Sequence, residues 1–231
     1  MTDRSPARLS SLQLFAGLPD AALNAFAKHC VWQTYQRNEE ILSRNSDSRD
    51  VYSIAEGHVR VVNYSLTGRE IAYATLGPGE FFGELAAIDH QPRSSNIVAA
   101  EKSVLVSLPP AAFEQLILAH PEVGMRVLKK LAAAIRQTDQ RIMDMSTMSA
   151  HQRLFAELLR CCEPDPLKQG RWQIYPMPTQ QAFASLIGTT RETVARALGE
   201  LTASDIVHRK GKTLYIDDRD RLHELIEALS D

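Results

Sequence analysis

The sequence predicts an α+β protein in three parts: a small antiparallel β-roll, a long helix, and a compact helical unit closed by a β-pair. Three observations predict it. Between about residues 30 and 108, short runs alternate apolar and polar residues and break at Glu56-Gly57, Thr67-Gly68 and Gly77-Pro78-Gly79. Many short strands at this spacing build a barrel or roll. A helix then begins at Pro121, and from Leu128 to Ser149 it meets no Pro or Gly. Beyond residue 150, HQRLFAELLRCC reads as a helix, and two short helices and the turn-then-strand stretch RKGKTLYI follow. The expected boundaries are residues 1–120, 121–149 and 150–231.

The first part opens with LSSLQLFAGLPDAALNAFAKHC, short helices broken at Gly17 and Pro19. Inside the β region one stretch departs from the pattern. GELAAIDHQPRSS, residues 83–95, is a helical turn opened by Gly83 and Glu84, joined to Pro-Arg-Ser-Ser. A glycine at a helix start lets backbone N–H groups approach an anion closely. Arg93 supplies a planar donor fork for phosphate oxygens, and Ser94, followed by Ser95, adds a hydroxyl. Glu84, followed by Leu85, is an acceptor suited to a ribose 2′-hydroxyl, and near Arg93 its charge balances the pocket. The alternative is a plain Glu84–Arg93 ion pair with no ligand.

The long helix repeats apolar residues at steps of three and four: Leu128, Leu131, Ile135, then Thr138, then Ile142 and Met145, ending at Ser149. That is a heptad seam, narrow and flanked by Lys129, Lys130, Arg136, Gln137, Asp139, Gln140 and Arg141. A face buried against the chain's own core uses a wider stripe, so the seam reads as a homodimer of two long helices. Thr138 is its polar break, of the kind that weakens a coiled coil while fixing its register.

In the third part, Pro164, Pro166 and Gly170 end the preceding helix and re-aim the chain. TQQAFASLI is an amphipathic helix opened by Thr179, a good N-cap. Gly188 supplies a tight turn, and Thr189 with Glu192 fits a capping box. The next helix, Arg191 to Leu201, turns Val194, Leu198 and Leu201 inward and presents Arg191, Glu192 and Arg196 outward. A helix fits the DNA major groove, where Arg bonds guanine bidentately and Glu accepts from cytosine. The competing explanation of Glu192 and Arg196 is an ion pair on a solvated helix.

Charge and composition narrow the classes. The net charge is −2, yet residues 171–212 hold Arg171, Arg191, Arg196, Arg209, Lys210 and Lys212 against Glu192, Glu200 and Asp205. That local excess suits double-stranded DNA as the partner. No run of 18 apolar residues is present, which argues against a membrane span. MTDRSPARLSSLQLFAGL has no continuous apolar signal region, and Cys30, Cys161 and Cys162 form no disulfide framework. A cytoplasmic protein with reduced thiols is expected. No nucleophile elbow, Walker loop, HExxH or calcium-loop motif points to an enzyme or a metal.

These motifs resemble, over nearly the whole chain, the CRP/FNR superfamily of transcription regulators, and its catabolite-activator (cyclic AMP receptor protein) branch in particular. GTTRETVARAL is similar to that branch's recognition helix, so Arg191, Glu192 and Arg196 inherit contacts to a TGTGA-like half-site. Lys210, Gly211 and Lys212 resemble the wing that touches phosphates, and Thr179 and Gln181 inherit the same task. FGELA with PRSS resembles the cyclic-phosphate cassette, and the resemblance implies a jelly-roll-like β-roll, a dimerisation helix and a winged helix-turn-helix. It also implies that Thr138-Asp139 face the nucleobase. Asp139 departs from the family's serine: a carboxylate accepts from adenine's amino group but suits the adjacent N–H groups of guanine better. Cyclic AMP is therefore the first expected effector and cyclic GMP the second, with a member answering to cyclic di-GMP, or to nothing, as a further alternative. RNA polymerase is the implied protein partner, at the loop from Glu163 to Gly170.

Overall fold

The computed structural model describes residues 6–64 and 70–227, so the Thr67-Gly68 turn lies outside the described residues. The chain divides into two compact units, residues 1–134 and 135–231.

In the first unit, α1 (Pro6–Leu9) and α2 (Asp20–Ala27) precede the strands. The strands are β1 (Val31–Tyr35), β2 (Glu40–Leu42), β3 (Val51–Glu56), β4 (Val59–Tyr64), β5 (Glu70–Leu76) and β6 (Phe81–Phe82). The short helix α3 (Glu84–Asp89) then leads into β7 (Asn96–Ala99) and β8 (Ser103–Leu108). Two antiparallel sheets result, in the orders β1-β8-β3-β6 and β2-β7-β4-β5. Tyr35, Ile54, Phe82 and Leu105 from one sheet and Leu42, Val59 and Ile97 from the other form one buried cluster. Burying one face of each sheet in this way is what the alternating pattern of the sequence encodes. Gly57, at φ +80°, makes the β3–β4 turn that the sequence marks.

A second cluster lies under the helices. Leu12, Phe15 and Leu23 pack there with Phe113 and Leu116 of α4 (Pro110–Ala119) and with Val123 and Val127 of α5 (Pro121–Thr147). Arg126 of α5 donates to the carbonyls of Leu14 at 3.1 Å and Ala16 at 2.8 Å. The first half of the long helix is thus fastened to the roll by an apolar stripe and a forked guanidinium.

α5 ends at Thr147, so Ser149 is not the last seam residue. It is the N-cap of α6 (Ala150–Cys161): its Oγ accepts from the Gln152 N–H at 3.3 Å, and Gln152 Oε1 accepts from the Ser149 N–H at 2.8 Å. That reciprocal capping box stops one helix and starts the next.

The second unit continues with β9 (Glu163–Pro164), β10 (Trp172–Ile174), α7 (Gln180–Leu186), α8 (Arg191–Ala203), β11 (Val207–Lys210), β12 (Thr213–Ile216) and α9 (Arg219–Glu227). The strands form a sheet in the order β11-β12-β10-β9. The segment read as loop from residue 163 therefore begins as a strand, antiparallel to β10. Leu154, Phe183, Val194, Leu201, Leu214 and Leu222 bring all four helices and the sheet to one core. A buried ionic cluster joins the second half of α5 to α6. Arg160 Nη1 meets Asp144 Oδ2 at 2.6 Å, and Arg160 Nε meets Glu157 Oε2 at 2.9 Å. Burial opposes the charge of Arg160, but the Asp144 hydrogen bond and the field of Glu157 outweigh it and hold the guanidinium above its usual range.

Candidate functional site

The cassette forms where β6 meets α3. Gly83 caps α3 with φ +87° and ψ 4°, a left-handed conformation that favours glycine. Space demands glycine as well. A Cβ there would lie 2.8 Å from Arg93 Nη1 and 2.8 Å from the Asp50 carbonyl oxygen. Arg93 is 3% exposed. Its Nη1 donates to Gly83 O at 2.8 Å, its Nη2 to Asp50 O at 2.7 Å and its Nε to Ser48 Oγ at 3.1 Å. Among the described residues these partners are all uncharged. Burial pulls the guanidinium below its ordinary range, against the fields of Tyr52, Asp50 and Glu84.

Glu84 acts on Arg93 through its field but forms no direct ion pair with it among the described residues. It is buried, and its ion-pair partner is Lys130 of α5, with Nζ 3.0 Å from Oε1. The alternative of a plain Glu84–Arg93 ion pair is thus not what the structure shows; Glu84 pairs with Lys130. The cause is the Gly83–Arg93 contact, which commits the guanidinium to the backbone of the turn. Ser94 is exposed, and its carbonyl accepts from Asn63 Nδ2 at 3.3 Å. Ser95 is half-buried, while Leu85 stands outward at 45% exposure beside Ile88.

On α5, Leu128, Ile135, Ile142 and Met145 are each more than half exposed. Leu131 packs in part against the core of the first unit. Thr138 and Asp139 are exposed, and both lie in the second unit.

The helix-turn-helix is α7, a turn, and α8. Thr179 caps α7 by accepting from Ala182 N–H at 3.1 Å, and Gln181 Nε2 lies 3.3 Å from Ser185 Oγ. Gly188, at φ +66°, makes the turn. The capping residue of α8 is Thr190, which accepts from Thr193 N–H at 3.2 Å. The cap is therefore Thr190, one residue after the Thr189 read from the sequence. Arg191 and Glu192 lie exposed on the first turn, and Arg196 follows one turn on. Val194, Ala197, Leu198 and Leu201 fill the opposite, buried face. Strands β11 and β12 pair antiparallel with Lys210 opposite Thr213, so Gly211, at φ +61°, and Lys212 form the exposed tip between them.

Comparison with known proteins decides the family. Residues 32–120 match the cyclic nucleotide-binding domain family, and residues 152–225 match the Crp-like helix-turn-helix domain family. The chain belongs to the CRP/FNR superfamily. It is similar to a CRP-like cAMP-activated global transcriptional regulator of Mycobacterium tuberculosis, 26% identical over 93% of this chain and 96% of that one. A cyclic AMP receptor protein of Thermus thermophilus is 29% identical over 94% and 98%. Among solved structures, FixK2 of Bradyrhizobium japonicum shares the fold with a TM-score of 0.71, at 22% identity over 85% of this chain and 96% of that one. As a CRP/FNR member the chain is a transcription regulator rather than an enzyme, with a cyclic nucleotide-binding domain and a DNA-binding winged helix-turn-helix. Among the described residues no helix is long and apolar enough to cross a membrane.

Three cassette residues escaped the sequence reading of this CRP/FNR chain. Ser48 and Asp50 meet Arg93 from 45 and 43 positions away. Asp50 contributes its backbone carbonyl, which no side-chain pattern reveals. Lys130 did leave a signal: it follows Val123 and Val127 on the inner stripe of α5, and a charge on a buried stripe needs a counter-charge.

Proposed function

We propose that the protein is a homodimeric, cyclic-nucleotide-responsive regulator that reads TGTGA-like palindromic half-sites in cytoplasmic DNA. The observation that carries this reading is Arg93: a buried guanidinium whose hydrogen-bond partners are two carbonyls and a hydroxyl. Buried charges are ordinarily paired, and the remaining hydrogens of its fork suit the oxygens of a cyclic phosphate. Glu84, held from one side by Lys130, is the acceptor for the ribose 2′-hydroxyl, with Gly83, Leu85, Ser94 and Ser95 around the same turn. Thr138 and Asp139 read the base. Cyclic AMP is the first effector and cyclic GMP the second; the names of the M. tuberculosis and T. thermophilus relatives support the first.

The exposed stripe of Leu128, Ile135, Ile142 and Met145 supports pairing of two long helices. Ligand contacts at Thr138 from both chains shift a pre-existing equilibrium of that pair. The recognition helices then stand one DNA turn apart, about 34 Å. Arg191, Glu192 and Arg196 contact bases, while Thr179, Gln181, Lys210, Gly211 and Lys212 hold phosphates. RNA polymerase meets the segment from residue 163 to residue 170, which begins as β9.

A second reading, a regulator that needs no effector, draws on the same guanidinium, since three of its donors are already satisfied within the fold. Calorimetric titration with cyclic AMP, cyclic GMP and cyclic di-GMP separates the two. Saturable binding of cyclic AMP, lost in Arg93→Leu, supports the first reading. Binding of none of the three leaves only the second.

A further inference from the structure

Lys130 is the point where the long helix grips the cassette, and it lies beyond the residues 32–120 that match the cyclic nucleotide-binding domain family. Its Nζ lies 3.0 Å from Glu84 Oε1, donates to the carbonyl of Phe81, and stands 4.2 Å from the centroid of the Phe81 ring. Three partners around one ammonium fix it in place. Phe81 and Glu84 bracket Phe82 and Gly83, and the carbonyl of Gly83 is held by Arg93. The turn from residue 81 to residue 84 is therefore clamped by two cations from different elements: Arg93 from the segment before β7, and Lys130 from α5. The two divide the work. Arg93 takes the carbonyls of Gly83 and Asp50, whereas Lys130 takes the carboxylate and balances a charge that is 7% exposed.

The two oxygens of Glu84 differ. Oε1 is occupied by Lys130, and among the described residues Oε2 has no hydrogen-bond partner. A carboxylate held through one oxygen is restricted in its rotation, and the other oxygen is the one left to accept from a ligand. From this geometry we infer that Lys130 is a positioning residue for the effector: it orients Glu84 so that the free oxygen accepts the ribose 2′-hydroxyl, and it thereby couples recognition of that hydroxyl to the first half of α5. The inference rests on the cyclic-nucleotide reading of the cassette. It does not require Lys130 to touch the ligand.

The test compares cyclic AMP with its 2′-deoxy analogue by calorimetry on the full chain. The wild type should prefer cyclic AMP by about tenfold or more, the worth of one hydrogen bond to a charged acceptor. In Lys130→Met the affinity for the 2′-deoxy analogue should stay within about twofold of wild type, while the preference for cyclic AMP falls to about twofold or less. Lys130→Arg should keep the preference. Lys130→Gln, which retains a donor for the Phe81 carbonyl without the charge, serves if methionine unfolds the chain, and it should lose the preference likewise. An undiminished preference in the uncharged variants overturns the inference. So does an equal loss for both nucleotides, which is what a merely structural lysine produces. A gain in cyclic AMP affinity also overturns it, since Lys130 would then be blocking Glu84. If the wild type itself binds neither nucleotide, the reading of the cassette fails, and the inference falls with it by a separately recognisable result.

Discussion

Gly83→Ala tests whether the cassette depends on the left-handed turn that admits Arg93. Alanine in the left-handed region costs about 1–2 kcal/mol. Its Cβ would also sit 2.8 Å from Arg93 Nη1 and 2.8 Å from the Asp50 carbonyl, well inside the ~3.5–4.0 Å at which carbon contacts are favourable. Neither neighbour has free room to retreat, because the guanidinium is buried and bonded to Gly83, Asp50 and Ser48. If the clash breaks one charge-assisted bond, a further 1.5–3 kcal/mol or so is lost. The sum is about 2.5–5 kcal/mol. Trp32 reports on the roll and Trp172 on the second unit. Urea unfolding followed by Trp32 fluorescence in a Trp172→Phe background therefore isolates the effect. Cyclic AMP affinity should fall in the same protein by about a hundredfold, the equivalent of two displaced donors at the low end of that scale. A variant destabilised by less than about 1 kcal/mol that binds nucleotide like the wild type would refute the reasoning.

Removing the shared cation of the ionic cluster, Arg160→Met, leaves Asp144 and Glu157 buried at 2% exposure without their main partner. It should destabilise the second unit by about 3–5 kcal/mol, read from Trp172 fluorescence in a Trp32→Phe background; a loss under 1 kcal/mol or so contradicts the account. Ile135→Asp places a charge in the exposed stripe and should convert dimers to monomers in sedimentation equilibrium, whereas an unchanged dimer would place the interface elsewhere. On DNA, Arg191→Ala should cost about 1–3 kcal/mol at one base pair and relax the choice there. Lys212→Ala should weaken all sequences alike and lower the salt slope by about 1; if the two variants behave identically, Arg191 is a phosphate contact.

The fold was legible because its signals are local. Gly57 and Gly79 mark turns by backbone freedom, and Val194, Leu198 and Leu201 mark an inner helix face by spacing. The cassette was legible in part for the same reason: Gly83, Glu84 and Arg93 lie within one short stretch. Its pairing was not, because the roll brings Ser48 and Asp50 to Arg93, and α4 and α5 return Lys130 to Glu84. Long-range partners of that kind leave no periodicity. The start of α8 at Arg191 was legible, but its cap was read one residue early, at Thr189 instead of Thr190, because neighbouring hydroxyls compete to cap and local sequence does not rank them. The capping box at Ser149 and Gln152 was hidden by the heptad count, which carried the seam one step past the last residue of the helix.

The central claim is that an effector in the cassette changes how the recognition helices hold DNA. Fluorescence anisotropy with a labelled TGTGA-type palindrome, titrated with the full chain in the presence and absence of saturating cyclic AMP at fixed salt, tests it most directly. The account predicts an affinity gain of about tenfold or more with nucleotide, abolished by Arg93→Leu. Equal affinity with and without nucleotide would contradict it.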